Sequence, residues 1–410
     1  MGIGRAGWIA ALTGLIVASG TACSSGAGGA SVAATGRPGT DGPPSAPSTP
    51  VHLTESGRVG GGSRSSAASA ADATESTAPT IVAPTVSGRA GVLLPAADDP
   101  AATWQRAHRS QLAVELGHVG LEPTIVNVAD ASAAAAAAAS MIAGGVKVMI
   151  VAGLDPAVAA AVTGPAHAAG VRVVAYRALA PDADAYVGVD DVAGGRLQAE
   201  GLAKCLQDKG VTRPRIIVLG GPAGDPSAAA TKRGYDAVIG PRVASGDLVL
   251  TDEQTAASVD ASTELFRSML TAAGAKVDGV LAADDALANA AIGVLRQNGL
   301  AVPVTGRGGG LGALRNLVSA TQCMTLREVP APEARLAATA AALLVAGRVV
   351  PVTTVVHDGA GRDVPALLAP PVAVVRSRLK DLVTAGDVTA AELCADLVDR
   401  CAAAGIRSTG

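Results

Sequence analysis

From Arg89 onward, short apolar runs alternate with longer stretches whose Ala, Leu and polar residues recur at helical spacing. Gly91–Leu94, Thr124–Val128, Val146–Val151 and Val171–Ala175 are nearly continuous in apolar residues and predict buried parallel strands. Between them, Ala102–Leu116, Ser132–Ala143 and Pro156–Ala169 have helical length, and their alanines raise helix propensity. Gly120, the pair Gly144 and Gly145, and Gly170 stand where helices need a left-handed residue to end. Such alternation predicts a parallel sheet with helices on both faces.

A second series obeys the same rule. Arg215–Leu219, Leu248–Leu250, Val277–Ala282, Val302–Thr305 and Thr321–Leu326 read as strands. Gly195–Gln207, Ala228–Val238, Ala261–Ala273, Ala286–Gln297 and Leu311–Val318 read as the intervening helices. Pro332–Val345 adds a helix, and Val352–Val356 and Ala373–Val375 add strands. The fold class is therefore α/β: two doubly wound, Rossmann-like lobes with a hinge and an interlobe cleft. Open α/β sheets bind ligands beyond the carboxyl ends of their strands, and both sheets would point those ends at the cleft.

The first part of the chain has no such pattern. Arg5, the apolar run Trp8–Val17 and the small residues Gly20, Thr21 and Ala22 before Cys23 read as an export signal over 1–22. The run is too short to span a bilayer, and the tripeptide before Cys23 is similar to a bacterial lipobox, which implies lipidation of Cys23 and a membrane anchor. Position 20 is Gly where Leu is usual; an ordinary signal peptide with a chance Cys is the alternative. Residues 24–87 are rich in Gly, Ser, Ala, Thr and Pro, so 23–87 is expected to be a disordered linker. A flexible tether of 64 residues reaches about 45 Å.

Composition narrows the classes further. The chain of 410 residues is 49% hydrophobic with a net charge of −3, which argues against nucleic-acid binding and polybasic membrane association. Aromatic residues are only 1% of the chain, so the cores must be aliphatic and any stacking surface must rest on very few rings. His108, His118, His167 and His357 are scattered without metal-ligand spacing, no Gly-x-Ser-x-Gly elbow is present, and Gly306–Gly310 lacks the Lys-Ser/Thr ending of a phosphate loop. The expectation is a protein that is not an enzyme and has no cofactor or metal.

Several phrases then carry a family resemblance: Gly91-Val-Leu-Leu-Pro95, Gly145-Val-Lys-Val-Met149, His167-Ala-Ala-Gly-Val171, Val174-Ala-Tyr176, Leu197-Gln-Ala199, Gly220-Gly221, Lys276-Val-Asp-Gly-Val280, Thr321-Gln322 with Met324-Thr325, and Asp363-Val-Pro365. The tail from Glu392-Leu-Cys394 to Cys401 and Ile406 is also similar. In order and spacing, the chain from about Gly91 to Ile406 resembles the xylose-binding-type sugar receptors of ABC transporters, within the type I periplasmic binding proteins. The resemblance implies three crossings between lobes, placed near Asp190, Arg327 and Val352. Lobe one is then 88–190 with 328–352, lobe two 191–327 with 353–385, and 386–410 a C-terminal tail.

The fold matches this family more than the pocket does. After the Tyr ending the fourth strand, the family has Asp-Arg as a sugar clamp; here Tyr176 is followed by Arg177 and Ala178. Thr103 replaces an Arg before the retained Trp104. Asp191 follows a retained Asp190 in place of Asn, Pro226-Ser227 replaces a paired Asn, and Gln254 is nearest to a missing Trp. Asp284 precedes a retained Asp285 in place of Asn, Arg307-Gly308 replaces Gln-Asp, and Glu328 replaces Lys. The candidate ligand-binding set is Asp98, Trp104, Arg177, Asp191, Asp284, Asp285, Arg307 and Glu328.

Two readings of that set stand open. It forms a retuned pocket, suited to an amine-bearing or zwitterionic solute or a differently substituted sugar, or its charges line a solvated cleft and pair with one another. An aromatic contact is worth about 1 kcal/mol and one partner of a buried charged contact about 2–5 kcal/mol, so losing several argues against xylose itself.

With Cys23 lipidated, four cysteines remain. The resemblance points to a Cys394–Cys401 disulfide; seven residues on an unbroken helix would separate them by about 10 Å, so the bond requires a break between them. Cys205 and Cys323 read as buried apolar fillers. The resulting expectation is a monomeric, lipid-anchored, extracytoplasmic receptor that passes a small polar, sugar-like solute to ABC permease subunits and binds no nucleic acid. A cell-envelope sensor or scaffold that kept the fold after losing sugar binding is the alternative.

Overall fold

β1 (Gly88–Pro95) is buried on both faces: Ala90, Val92, Leu93 and Leu94 are all 0% exposed. A central parallel strand covered by helices above and below requires this. The computed structural model describes residues 81–407 except 97–103, 257, 353, 359 and 360. The export segment, Cys23 and Asp98 lie outside the described residues.

The chain continues through α1 (Gln105–His118), β2 (Leu121–Val128), α2 (Ala131–Ala143), β3 (Val146–Ala152), α3 (Pro156–Ala168), β4 (Arg172–Tyr176) and β5 (Ala185–Val189). A second series follows: α4 (Asp191–Asp208), β6 (Arg215–Gly220), α5 (Pro226–Ala244), β7 (Val249–Thr255), α6 (Val259–Ala272), β8 (Gly279–Ala282) and α7 (Asp285–Gln297). It ends with β9 (Val304–Arg307), α8 (Leu311–Ser319) and β10 (Met324–Arg327). Then come α9 (Pro330–Val345), β11 (Thr354–His357), β12 (Asp363–Ala369), β13 (Val372–Val375), α10 (Leu379–Thr384), α11 (Ala390–Cys394) and α12 (Val398–Ala403).

Two sheets result. The first has the order β11-β12-β5-β4-β3-β1-β2, the second β13-β10-β9-β8-β6-β7, and only β11 and β13 run antiparallel to their neighbours. α9 returns to the first sheet and packs on α1, β3, β4 and β12. Its buried Ala334, Ala337, Ala338, Ala340, Ala341 and Ala342 let it lie close against them.

The third crossing differs from the expected one. β11 and β12 form an antiparallel hairpin in the first sheet, where β12 pairs parallel to β5, so the chain crosses at Pro370–Pro371 rather than near Val352. Residues 354–369 therefore belong to lobe one. β12 is hard to read in sequence because it begins on Asp363 and contains Pro365, which sits just before the stretch paired with β5. The two remaining crossings lie at Asp190 and at Glu328–Val329, each between elements of different sheets.

In lobe two, α4 and α5 meet through two glycines. A Cβ on Gly195 would stand 1.9 Å from Thr231 O, and one on Gly234 would stand 2.0 Å from Val192 O. Neither position can carry a side chain without separating the helices. The C-terminal helices pack on α8, where Leu314, Leu317, Val318, Leu379, Leu393, Cys394 and Cys401 form one cluster.

Cys394 and Cys401 are disulfide-bonded with Cα atoms 5.9 Å apart, because the helix stops at Cys394 and restarts at Val398. Cys205 and Cys323 are also bonded, Cα to Cα 6.4 Å, which corrects their reading as apolar fillers: the bond ties α4 to the start of β10. Among the described residues, no helix is long and apolar enough to cross a membrane.

Candidate functional site

Tyr176 ends β4, and Arg177 follows at φ +65°, a left-handed conformation that a non-glycine residue keeps only where its surroundings hold it. Its backbone N–H donates to Val187 O at 2.8 Å, so β5 fixes the turn. The side chain Nη1 donates to both oxygens of Glu333 at 2.9 and 3.1 Å, and Nη2 donates to Glu328 Oε2 at 2.6 Å. Glu328 lies in the second crossing, directly after β10; Glu333 lies in the first turn of α9.

Arg307, the last residue of β9, approaches Glu328 from lobe two. Its Nη2 donates to Glu328 Oε1 at 2.9 Å, and its Nη1 donates to Thr231 Oγ1 at 3.2 Å. Asp191 Oδ1, at the first residue of α4, is 2.5 Å from Arg307 Nη2. That oxygen is nevertheless buried with no aligned donor, so the contact is an ion pair without a good hydrogen bond. Asp191, Arg307, Glu328, Arg177 and Glu333 thus run as one chain of charges from lobe two, through the crossing, into lobe one.

Burial and pairing set the protonation states. Burial alone would raise Glu328, but Arg177 and Arg307 outweigh it and hold its carboxyl below the usual range. Glu333 is fully buried and has only Arg177, which it shares; burial pushes its carboxyl up to about 7. Burial alone would lower both guanidiniums, yet their carboxylate partners raise them, so both stay charged.

Trp104 forms an aromatic wall beside this chain. The Arg177 guanidinium carbon stands 4.9 Å from its ring centroid, within cation–π range. His108 packs edge-on to Trp104 at 5.2 Å and shares a 2.5 Å hydrogen bond with the Tyr176 hydroxyl. Burial, then the Arg177 charge, push His108 down to about 3, so it is a neutral strut. Gln105, Asn127 and Arg109 continue the polar surface at the tips of β1 and β2: Asn127 Nδ2 donates to Gln105 Oε1 and Pro95 O, and Arg109 Nη1 donates to Asn127 Oδ1.

The structure therefore brings together Trp104, Arg177, Asp191, Arg307 and Glu328 from the sequence-derived set. Asp284 and Asp285 have other partners. Asp284 caps α7 by accepting from Leu287 N at 2.8 Å. Asp285 accepts from Gln322 Nε2 and Thr325 Oγ1, each at 2.8 Å, and from Gly309 N at 2.7 Å, which fixes the turn after Arg307. Its burial outweighs these bonds and raises its carboxyl.

Sequence reasoning missed Glu333, His108 and Thr231. Glu333 sits in Pro330-Ala-Pro-Glu333, where an acid in a helix's first turn reads as a dipole partner. A groove of about 900 Å³ exists elsewhere, lined by Leu206, Arg213, Arg242 and Asp247 at the amino ends of β6 and β7. It lies away from the strand tips where the charges converge.

Residues 91–348 match the family model described as a periplasmic binding protein domain. The chain is 29% identical over 215 residues to the D-xylose-binding periplasmic protein of Escherichia coli; the match covers 51% of this chain and 63% of that protein, less than two thirds of its length. It is similar in fold to a carbohydrate transporter solute-binding protein from Chloroflexus aurantiacus in complex with D-glucose, with a TM-score of 0.59 and 24% identity, covering 74% of this chain and 97% of that one. A periplasmic ribose ABC transporter protein from Conexibacter woesei superimposes with a TM-score of 0.61 at 16% identity, covering 74% and 96% of the two chains. With the matched domain holding both crossings at which the charges meet, the chain belongs to the periplasmic binding protein family.

Proposed function

We propose that this chain is the solute-binding lipoprotein of a sugar-type ABC importer and that it captures a small polar, sugar-like solute between its lobes. The observation that carries this reading is the charge chain at the strand tips, in which Arg177 of lobe one and Arg307 of lobe two meet on Glu328 in the crossing between them. Groups placed on both sides of a hinge can close on a solute, and adjacent crossings restrict the lobes to opening and shutting. Trp104, Arg177, Asp191, Arg307 and Glu328 form the contact surface. The xylose binding named for the E. coli relative and the D-glucose held by the Chloroflexus protein support a sugar-like solute. The relatives are binding proteins, which supports a non-catalytic role outside the cytoplasm.

In the same reading the receptor is a monomer, anchored to the cell membrane by a lipid on Cys23, and it hands its solute to ABC permease subunits. A thermal-shift screen of the purified chain against pentoses, hexoses, polyols, amino sugars and amino acids tests the binding role. A bound solute raises the melting temperature by mass action. Silence across that panel would sink the proposal. Cys23→Ser should move the chain from the membrane fraction to the soluble one, and continued membrane association would remove the lipid anchor from it.

A further inference from the structure

Among the described residues, the charges of this network do not balance. Three carboxylates, those of Asp191, Glu328 and Glu333, share two guanidiniums, those of Arg177 and Arg307. Arg327, next in the chain to Glu328, pairs instead with Asp387. Glu333 is sealed, its side chain 1% exposed, whereas Asp191 and Glu328 keep 21% and 23% of theirs open. The accessible acids are therefore the two nearest the first and second crossings.

Hydrogen bonding points the same way. Arg307 is divided among Glu328, Thr231 and Asp191, so one guanidinium serves two carboxylates. A donor on the solute would relieve that sharing at the exposed parts of both acids. One face of Trp104, which could stack on a sugar ring, carries the Arg177 guanidinium instead. A carboxylate or phosphate on the solute would add a fourth negative charge beside two guanidiniums that are already engaged, at a desolvation cost neither of them is free to offset. A hydroxyl would supply the donor but leave the charge excess. An ammonium supplies up to three donors and the balancing charge together.

We infer that the solute carries a protonated amine beside its hydroxyls, as an amino sugar does, and that this ammonium docks between Asp191 and Glu328; this rests on the solute-binding reading above.

Calorimetric titration of the purified full chain with glucosamine, N-acetylglucosamine, glucose and glucuronate tests it. Acetylation keeps the nitrogen and removes its charge, so that comparison needs no variant. Glucosamine should bind at least about tenfold more tightly than N-acetylglucosamine or glucose, which corresponds to about 1.4 kcal/mol, and glucuronate should not bind. Asp191→Asn, which removes one of the two carboxylates beside the ammonium, should abolish that margin. Equal or tighter binding of the neutral sugars overturns the amine inference and leaves the receptor reading intact. Binding of none of the neutral or aminated compounds overturns both.

Discussion

A Cβ placed on Gly153 would stand 2.3 Å from Cζ2 of Trp104, so the aromatic wall of the cleft rests on bare backbone. Gly153 also has φ +62°, where a side chain is strained regardless of space. Gly145 offers a control, because at φ +76° it has no atom within 4 Å of an added Cβ. Gly145→Ala should cost about 1 kcal/mol, the conformational part alone, whereas Gly153→Ala should cost about 2–4 kcal/mol and change the Trp104 fluorescence. Equal costs in urea unfolding, with unchanged emission, would mean that Trp104 does not lean on that glycine.

Glu328 holds one oxygen toward each guanidinium, so replacing it tests the bridge between the lobes. In Glu328→Gln, Arg177 keeps Glu333 and Arg307 keeps Asp191, which limits the loss. The expected cost is about 1–3 kcal/mol, below the 3–5 typical of a buried pair broken outright. Arg177→Gln should cost more, because it leaves fully buried Glu333 with no cation. The two substitutions should also be non-additive, since they touch one network. A strictly additive double variant would show that the bridge carries no coupling.

The sheets were legible because parallel strands covered on both faces leave apolar runs, and the helices because alanine-rich segments end on glycines. β5 and β12 escaped because Gly188 and Pro365 interrupt their apolar runs; the misplaced third crossing followed from that. The meeting of Arg177, Arg307 and Glu328 was expected as a set of cleft residues, but their mutual pairing was left open, because sequence carries no distances. Glu333 was invisible for a different reason. A first-turn acid looks alike whether it faces solvent or, as here, a buried guanidinium 156 positions away in the chain.

The two disulfides should differ in worth. Cys205 and Cys323 are 118 positions apart and Cys394 and Cys401 only seven. In the chain-entropy account, closing the longer loop contributes about 5 kcal/mol and the shorter about 2 kcal/mol. The paired substitutions Cys205→Ala with Cys323→Ala should therefore lower the denaturant midpoint more than Cys394→Ala with Cys401→Ala. The reverse order would mean that tail packing on α8, rather than loop closure, dominates.

Glu333 predicts a pH dependence with a definite sign. Its folded carboxyl is pushed up to about 7 from an ordinary 4.5, by burial that Arg177 only partly offsets. Between those values the unfolded chain has released a proton that the folded chain still holds, so stability from this group falls as pH rises. It is fully present below about 4.5 and lost above about 7, on the order of 2–3 kcal/mol across the window. Asp285, also raised, adds the same sign, while Glu328 and Asp184, both lowered, oppose it. The wild-type curve alone therefore decides nothing, and the comparison with Glu333→Gln, which cannot titrate, isolates the group. From pH 5 to pH 8 the wild type should lose about 2–3 kcal/mol relative to that variant in chemical unfolding. Glu328→Gln should move the window to lower pH, because it removes a neighbouring negative charge and leaves Arg177 to Glu333 alone. A difference between wild type and Glu333→Gln that stays constant over this range would show Glu333 ionised throughout, with Arg177 compensating its burial in full.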